Sequence, residues 1–108
     1  MERTSRMETS IMSAIDRIGE EGARELSEAR LSGDERRVSL AQLKVSLAAP
    51  NGMLRVVAKM PSERYALLLE DMRGRIGALR KREDFDGADI IQEQMALCER
   101  ARNGGDEA

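Results

Sequence analysis

The sequence predicts a mainly α fold, a small helical domain that closes with a C-terminal antiparallel αα-hairpin. Apolar residues recur three and four positions apart along most of the 108 residues, the period of a helix with one buried face. Turn-forming residues gather at Ser32-Gly33-Asp34, Pro50-Asn51-Gly52 and Met60-Pro61-Ser62, with a weaker break near Glu83-Asp84, so the helices number four or five. Leu, Ile, Val and Phe make up only 22 of the 108 residues, a fraction bordering on disorder. Seven Met and a near balance of 18 basic against 20 acidic side chains return the chain to the folded class. The length fits one domain, and a core this small gains from assembly with another chain, which makes a homo-oligomer one expectation.

The N-terminal helical segment, 1–61, opens with Met7, Ile11, Ile15 and Ile18 on one helical face, and Thr4 or Ser5 stands where an N-cap is needed. Gly19 and Gly22 then predict a bend or break, because a helical Gly costs roughly 1 kcal/mol relative to Ala. Leu26 and Ala29 resume the stripe, and the first ten residues are expected to fray. Asp34 after Gly33 reads as the N-cap of a second helix, Glu35 to Ala49, which Pro50 stops. Two readings stand for 43–58. Met53, Val56, Val57 and Met60 keep helical spacing, whereas an alternating Leu43-Lys44-Val45-Ser46-Leu47, an Asn51-Gly52 turn and the β-branched Leu54-Arg55-Val56-Val57 describe a short β-hairpin.

The segment 62–102 is the clearest. Ser62 reads as the N-cap of a helix lasting to about Arg82, with Tyr65, Leu69, Met72, Ile76 and Leu79 spaced four, three, four and three. A second helix from near Asp84 carries Ala88, Ile91, Met95 and Cys98 at three, four and three. Arg100 and Arg102 suit its negative end. The short connection makes the two antiparallel neighbours with Asp84-Phe85-Asp86-Gly87 at the tip, and 103–108 is expected to be a disordered tail.

Composition excludes several function classes. With no His there is no imidazole for a catalytic triad or for a His-ligated metal. Cys98 is the only cysteine, so no internal disulfide forms, and without a secretory n-region or an apolar run near 20 residues the expectation is a cytoplasmic protein with no membrane span. Asp84, Asp86 and Asp89 lack the ligand ladder of a calcium loop and read as first-turn acids. Gly74-Arg75-Ile76-Gly77 has the spacing of a nucleic-acid-clamping GxxG loop but lies inside a heptad, where small residues for close helix packing explain it more simply. The chain is expected to be no enzyme and to need no cofactor or metal.

The segment Met72-x3-Ile76-x2-Leu79-x4-Asp84-Phe85-Asp86-x-Ala88-x2-Ile91-x2-Gln94-Met95 resembles the UVR motif of the UvrB and UvrC repair proteins and of Clp-associated adaptors. The resemblance covers about 30 residues, with Asp84-Phe85-Asp86 and Ala88 its most specific part, and departs where Ile91-Gln92-Glu93 replaces the usual Leu-Arg-Asp. It implies a hairpin that meets a matching hairpin on a partner or on itself. A looser resemblance, over Glu28 to Arg37 with Leu40, Leu43 and Leu47 and again over Arg75-Ile76 and Arg82-Glu83-Asp84, is to the GatB/YqeY family, and implies an all-helical fold and RNA contact.

The expected function is a non-catalytic protein–protein interaction or adaptor module, a small regulator or inhibitor of a larger complex such as nucleic-acid-handling machinery. Its contact core would be Leu69, Met72, Ile76, Phe85, Ile91 and Met95. The alternative is an accessory protein that places Arg73, Arg75, Arg80, Lys81 and Arg82 on RNA, tRNA or DNA phosphates. That run holds five bases and no acid, whereas 53–108 as a whole has 10 basic against 11 acidic residues and lacks the excess of a nucleic-acid domain.

Overall fold

The computed structural model describes residues 2–104, with side chains from Ala14 onward. Five helices follow in order: α1 (Glu2–Ser32), α2 (Glu35–Ala48), α3 (Met53–Ala58), α4 (Ser62–Lys81) and α5 (Phe85–Arg102). There is no strand among the described residues, so the β-hairpin reading of 43–58 is overturned. Leu47, Leu54 and Val57 enter one common core. An isolated two-stranded ribbon would leave one face of these residues wet.

The helix α1 runs through Gly19 and Gly22 without the expected break. Both glycines sit where α2 crosses. A Cβ at Gly19 would lie 3.3 Å from the Ala48 Cβ, and one at Gly22 would lie 2.7 Å from the Lys44 Cβ and 3.0 Å from the Val45 nitrogen. The helix gives up propensity there so that α2 can approach, and it continues unbroken past both positions. At 31 residues α1 is about 46 Å long, which accounts for the 48 Å long axis of the molecule. Thr4 and Ser5 fall within α1, and their side chains lie outside those described. Met7 and Ile11 lie outside the residues whose side chains are described.

Two hairpins make the frame. The first is α1–α2, turned by Gly33 at φ 74° and restarted by Asp34, whose carboxylate accepts from the Arg36 and Arg37 amides. The second is α4–α5. There the Glu83 amide donates to the Arg80 carbonyl and the Asp84 amide to the Leu79 carbonyl, a Schellman closure with Glu83 at φ 62° in the place usually given to glycine. Asp84 then caps α5 by accepting from the Gly87 amide. Ser62 is the first residue of α4 and not its cap; Pro61 precedes the helix, with no side-chain cap bond.

The short α3 joins the hairpins, and the core closes around it. Ile15, Ile18, Leu54, Leu97, Cys98 and Ala101 are fully buried in a cluster that also holds Leu47, Ala48 and Val57. Hence α5 buries two faces. Ala88 and Cys98 continue the seam read from the sequence, while Leu97 and Ala101 turn into the cluster shared with α1 and α3. Asn103 follows α5 as its cap and Gly104 is buried; the remainder of the expected tail lies outside the described residues.

Arginine finishes the helix ends. Arg55 of α3 donates to the Ala48 and Ala49 carbonyls at the end of α2 and pairs with Asp16 of α1 at 2.9 Å. Arg102 of α5 donates to the Val57 and Met60 carbonyls at the end of α3, 2.9 and 2.7 Å away, and stacks 4.3 Å from the centre of the Tyr65 ring. Arg55 spreads its bonds over Nε and Nη2, the fork of the guanidinium, whereas Arg102 meets both carbonyls through Nη1 and leaves its flat face to the ring. Arg102 stands in the last turn of α5, as expected, and closes the end of α3 as well.

A polar clasp joins α1, α2 and α5. Arg100 donates through both terminal nitrogens to Glu21, at 3.1 and 3.2 Å, and Lys44 lies 2.9 Å from Glu25. Those bonds from Arg100 hold the Glu21 carboxyl below its ordinary value of 4.5, with burial opposing. A carboxylate whose folded value is depressed stabilises the fold above its unfolded value and loses that contribution as pH falls through the folded one. Denaturant unfolding across the acid range should therefore show Glu21→Gln less stable than the parent at neutral pH. The gap should close as pH drops below about 4, the range in which glutamate protonates.

Candidate interaction surface on the α4–α5 hairpin

The helix α4 packs chiefly on α5, and only its first turns, through Tyr65 and Leu68, reach the central cluster. One side of it is consumed: Met72 is 4 % exposed and Ile76 is 8 % exposed. Leu69, Ile91 and Met95 are half-buried, and Phe85 at the tip is 60 % exposed. The six residues expected to form the contact core thus divide. Met72 and Ile76 hold the hairpin together, Phe85 stands free of it, and the other three lie between these extremes.

A groove of about 480 Å³ runs along the hairpin, walled by Arg73, Ile76, Gly77 and Arg80 of α4 and by Gln92, Met95, Ala96 and Glu99 of α5. Arg80 spans it and donates to the Gln92 side chain at 3.0 Å. Arg73, Arg75, Arg80, Lys81 and Arg82 are all exposed. One ion pair ties them down among the described residues, Arg75 with Asp71 at 3.1 Å within α4. At 100° per residue, Arg73 and Arg80 border the groove while Arg75 and Arg82 lie on the far flank of the helix. The two pairs straddle the outer surface of α4; they do not share adjoining faces as one phosphate track would require.

Gly74 and Gly77 lie on that outer surface. A Cβ at either would meet nothing within 4 Å, which overturns the expectation that they serve close helix packing inside the chain. They are two interior helical glycines that nothing in this fold requires, at a cost of roughly 1 kcal/mol each.

A second cleft, about 320 Å³, lies where α2 and α5 run side by side, lined by Glu35, Arg36, Ser39 and Leu40 opposite Asp86, Asp89 and Ile90. Arg36 bridges it to Asp89. No group of acidic or sulfur side chains among the described residues could hold a metal ion. Asp84 is an N-cap and Asp89 an ion-pair partner, so two of the three acids near the tip have structural roles.

Cys98 is fully buried, and burial pushes its thiol up to about 11, the profile of an inert core residue. The Tyr65 hydroxyl is buried with no hydrogen-bond partner among the described residues, and burial raises its pKa. No helix of the described residues is long and apolar enough to cross a membrane.

Sequence reasoning missed Leu97 and Ala101 of the core because they sit one helical flank away from the seam it followed. It also missed the outer surface of α4, whose signal is a second set of positions at heptad spacing: Glu63, Leu67, Glu70, Gly74, Gly77 and Lys81. Comparison with protein-family models, with curated proteins and with solved structures finds no match to this chain.

Proposed function

We propose that the chain is a non-catalytic protein–protein interaction module that works through its α4–α5 hairpin. One observation carries this reading: α4 leans chiefly on α5 and leaves a full side uncovered, with Leu67 exposed on it, Phe85 exposed at the tip of the hairpin, and arginines on both flanks. Singly exposed apolar residues are ordinary. Gly74 and Gly77 meet no neighbour within the chain, and of the bases beside them only Arg75 and Arg80 bond within the hairpin, so the uncovered side suits a contact from outside the chain. The resemblance of 72–95 to the UVR motif points the same way, toward an adaptor that docks on a larger complex.

The test is a photo-crosslinking residue placed at Phe85 or at Met95 on the hairpin, and as a control at the exposed Gln42 of α2, in the cells that make the protein. The same adduct from both hairpin sites and none from Gln42 is expected. Equal adducts from all three positions would overturn the reading.

A second reading rests on the exposed bases between Arg73 and Arg82, which would contact nucleic-acid phosphates. It predicts salt-dependent anisotropy with labelled RNA or duplex DNA that is lost when Arg73, Arg75, Arg80 and Arg82 are changed to Ala. No binding at low salt would sink it.

A further inference from the structure

The outer side of α4 is self-complementary. Its first ten residues, 62–71, carry three acids and one base, and its next ten, 72–81, carry four bases and no acid. The helix dipole accounts for Glu63 at the start and Lys81 at the end, but its influence falls off within a turn of each end. In the middle, Asp71 pairs with Arg75 within the helix, which leaves the step from Glu70 to Arg73 outside both effects.

The outward residues Glu63, Leu67, Glu70, Gly74, Gly77 and Lys81 are all exposed and lie along one face of the helix, with Leu67 its one large apolar member. An antiparallel copy of α4, placed about a two-fold axis level with Met72, brings these six into register. Glu63 then lies opposite Lys81 of the other copy. Leu67, 65 % exposed, falls on the gap at Gly77, and Glu70 falls beside Gly74. Each pairing occurs twice, as a two-fold interface demands. Large lies on small and acid on base, and the missing side chains at 74 and 77 let the two backbones come close.

From this register we propose that the outer face of α4 is a docking surface for a second copy of this chain, forming an antiparallel α4–α4 homodimer. The inference rests on the reading of the hairpin as an interaction module and names what covers its outer side. This face borders the Arg80–Gln92 groove and shares Gly77 with it. Sedimentation equilibrium of the full chain should show a monomer–dimer equilibrium in the micromolar range.

The decisive experiment is charge exchange. Glu63→Lys alone and Lys81→Glu alone each set like charges opposite one another at both ends of the interface, and each should weaken the dimer by about tenfold or more. Mixing the two variants should restore dimer as a heterodimer, because each copy then meets its opposite charge. All the positions are exposed, so the helical circular dichroism of the monomers should not change.

A wild-type monomer at all concentrations, single variants that dimerise as the parent does, or a mixture that stays monomeric would each overturn the inference. So would a monomer whose outer bases bind labelled duplex, since nucleic acid would then be the occupant. The crosslinking result is independent of these outcomes: adducts from Phe85 and Met95 to another protein can persist when the dimer fails, and the dimer can form when those adducts are absent.

Discussion

Changing Gly52 to Ala should destabilise the fold by about 2–3 kcal/mol, a cost in the range of overpacking a rigid site. A Cβ at this position would lie 2.4 Å from the Leu47 carbonyl oxygen and 2.7 Å from that of Ser46. Both are backbone atoms in the last turn of α2, so no side-chain rotation relieves the contact. The Gly52 amide also donates to the Ala49 carbonyl at 2.8 Å, which pins the turn from within. Retreat would pull α3 away from α2 and with it the fully buried Leu54 and Val57. Denaturant unfolding should show a lower midpoint with an unchanged slope, the mark of lost stability in an unaltered fold. An unchanged midpoint would mean that this turn can shift without cost.

The Arg102→Met variant should lose about 2–3 kcal/mol, or roughly 10 °C in Tm. Met keeps much of the apolar stem but removes the donors that meet the Val57 and Met60 carbonyls, together with the charge over the Tyr65 ring. Two hydrogen bonds from a charged donor and a cation–π contact of about 0.5–1 kcal/mol are lost together. Arg102→Lys should recover less than half, because an ammonium ends one atom short of the Nη1 position that meets both carbonyls and has no flat face to lay over the Tyr65 ring. Thermal unfolding followed by circular dichroism checks both, and a Lys variant equal to the parent would show that charge alone does the work.

Much of the fold was legible because helices write their period into the chain. The seam of Tyr65, Leu69, Met72, Ile76 and Leu79, the cap Asp34, the helix start near Asp84 and the turn at Gly33 are local signals, and the structure uses each; that Asp84 is itself the cap, not a first-turn acid, is seen only in the structure. What was illegible depends on contacts far apart in sequence. Asn51-Gly52 is a true turn, yet Gly52 has φ −83°, not the positive angle of a tight β-hairpin, and its glycine answers to carbonyls of α2. Gly19 and Gly22 weaken a helix locally and face a neighbour that the local pattern does not contain. Of the candidate site, the bases and the apolar seam could be read from spacing. Which of them the chain uses up itself could not, since burial at Met72 and exposure at Phe85 follow from where α5 lies.

The position of α5 also sets the order in which the molecule can be finished during synthesis. It brings Leu97, Cys98 and Ala101 to a cluster whose other members come from α1, α2 and α3, and it covers Met72 and Ile76 on α4. When translation has completed α4, the α1–α2 hairpin can already have closed, but the inner side of α4 is uncovered and the cluster lacks one wall. At about 5–20 residues per second, the 18 residues of α5 take on the order of one to four seconds to follow. Until α5 joins, the seam of α4 has no internal partner, so the second hairpin and the central cluster are completed in one late step.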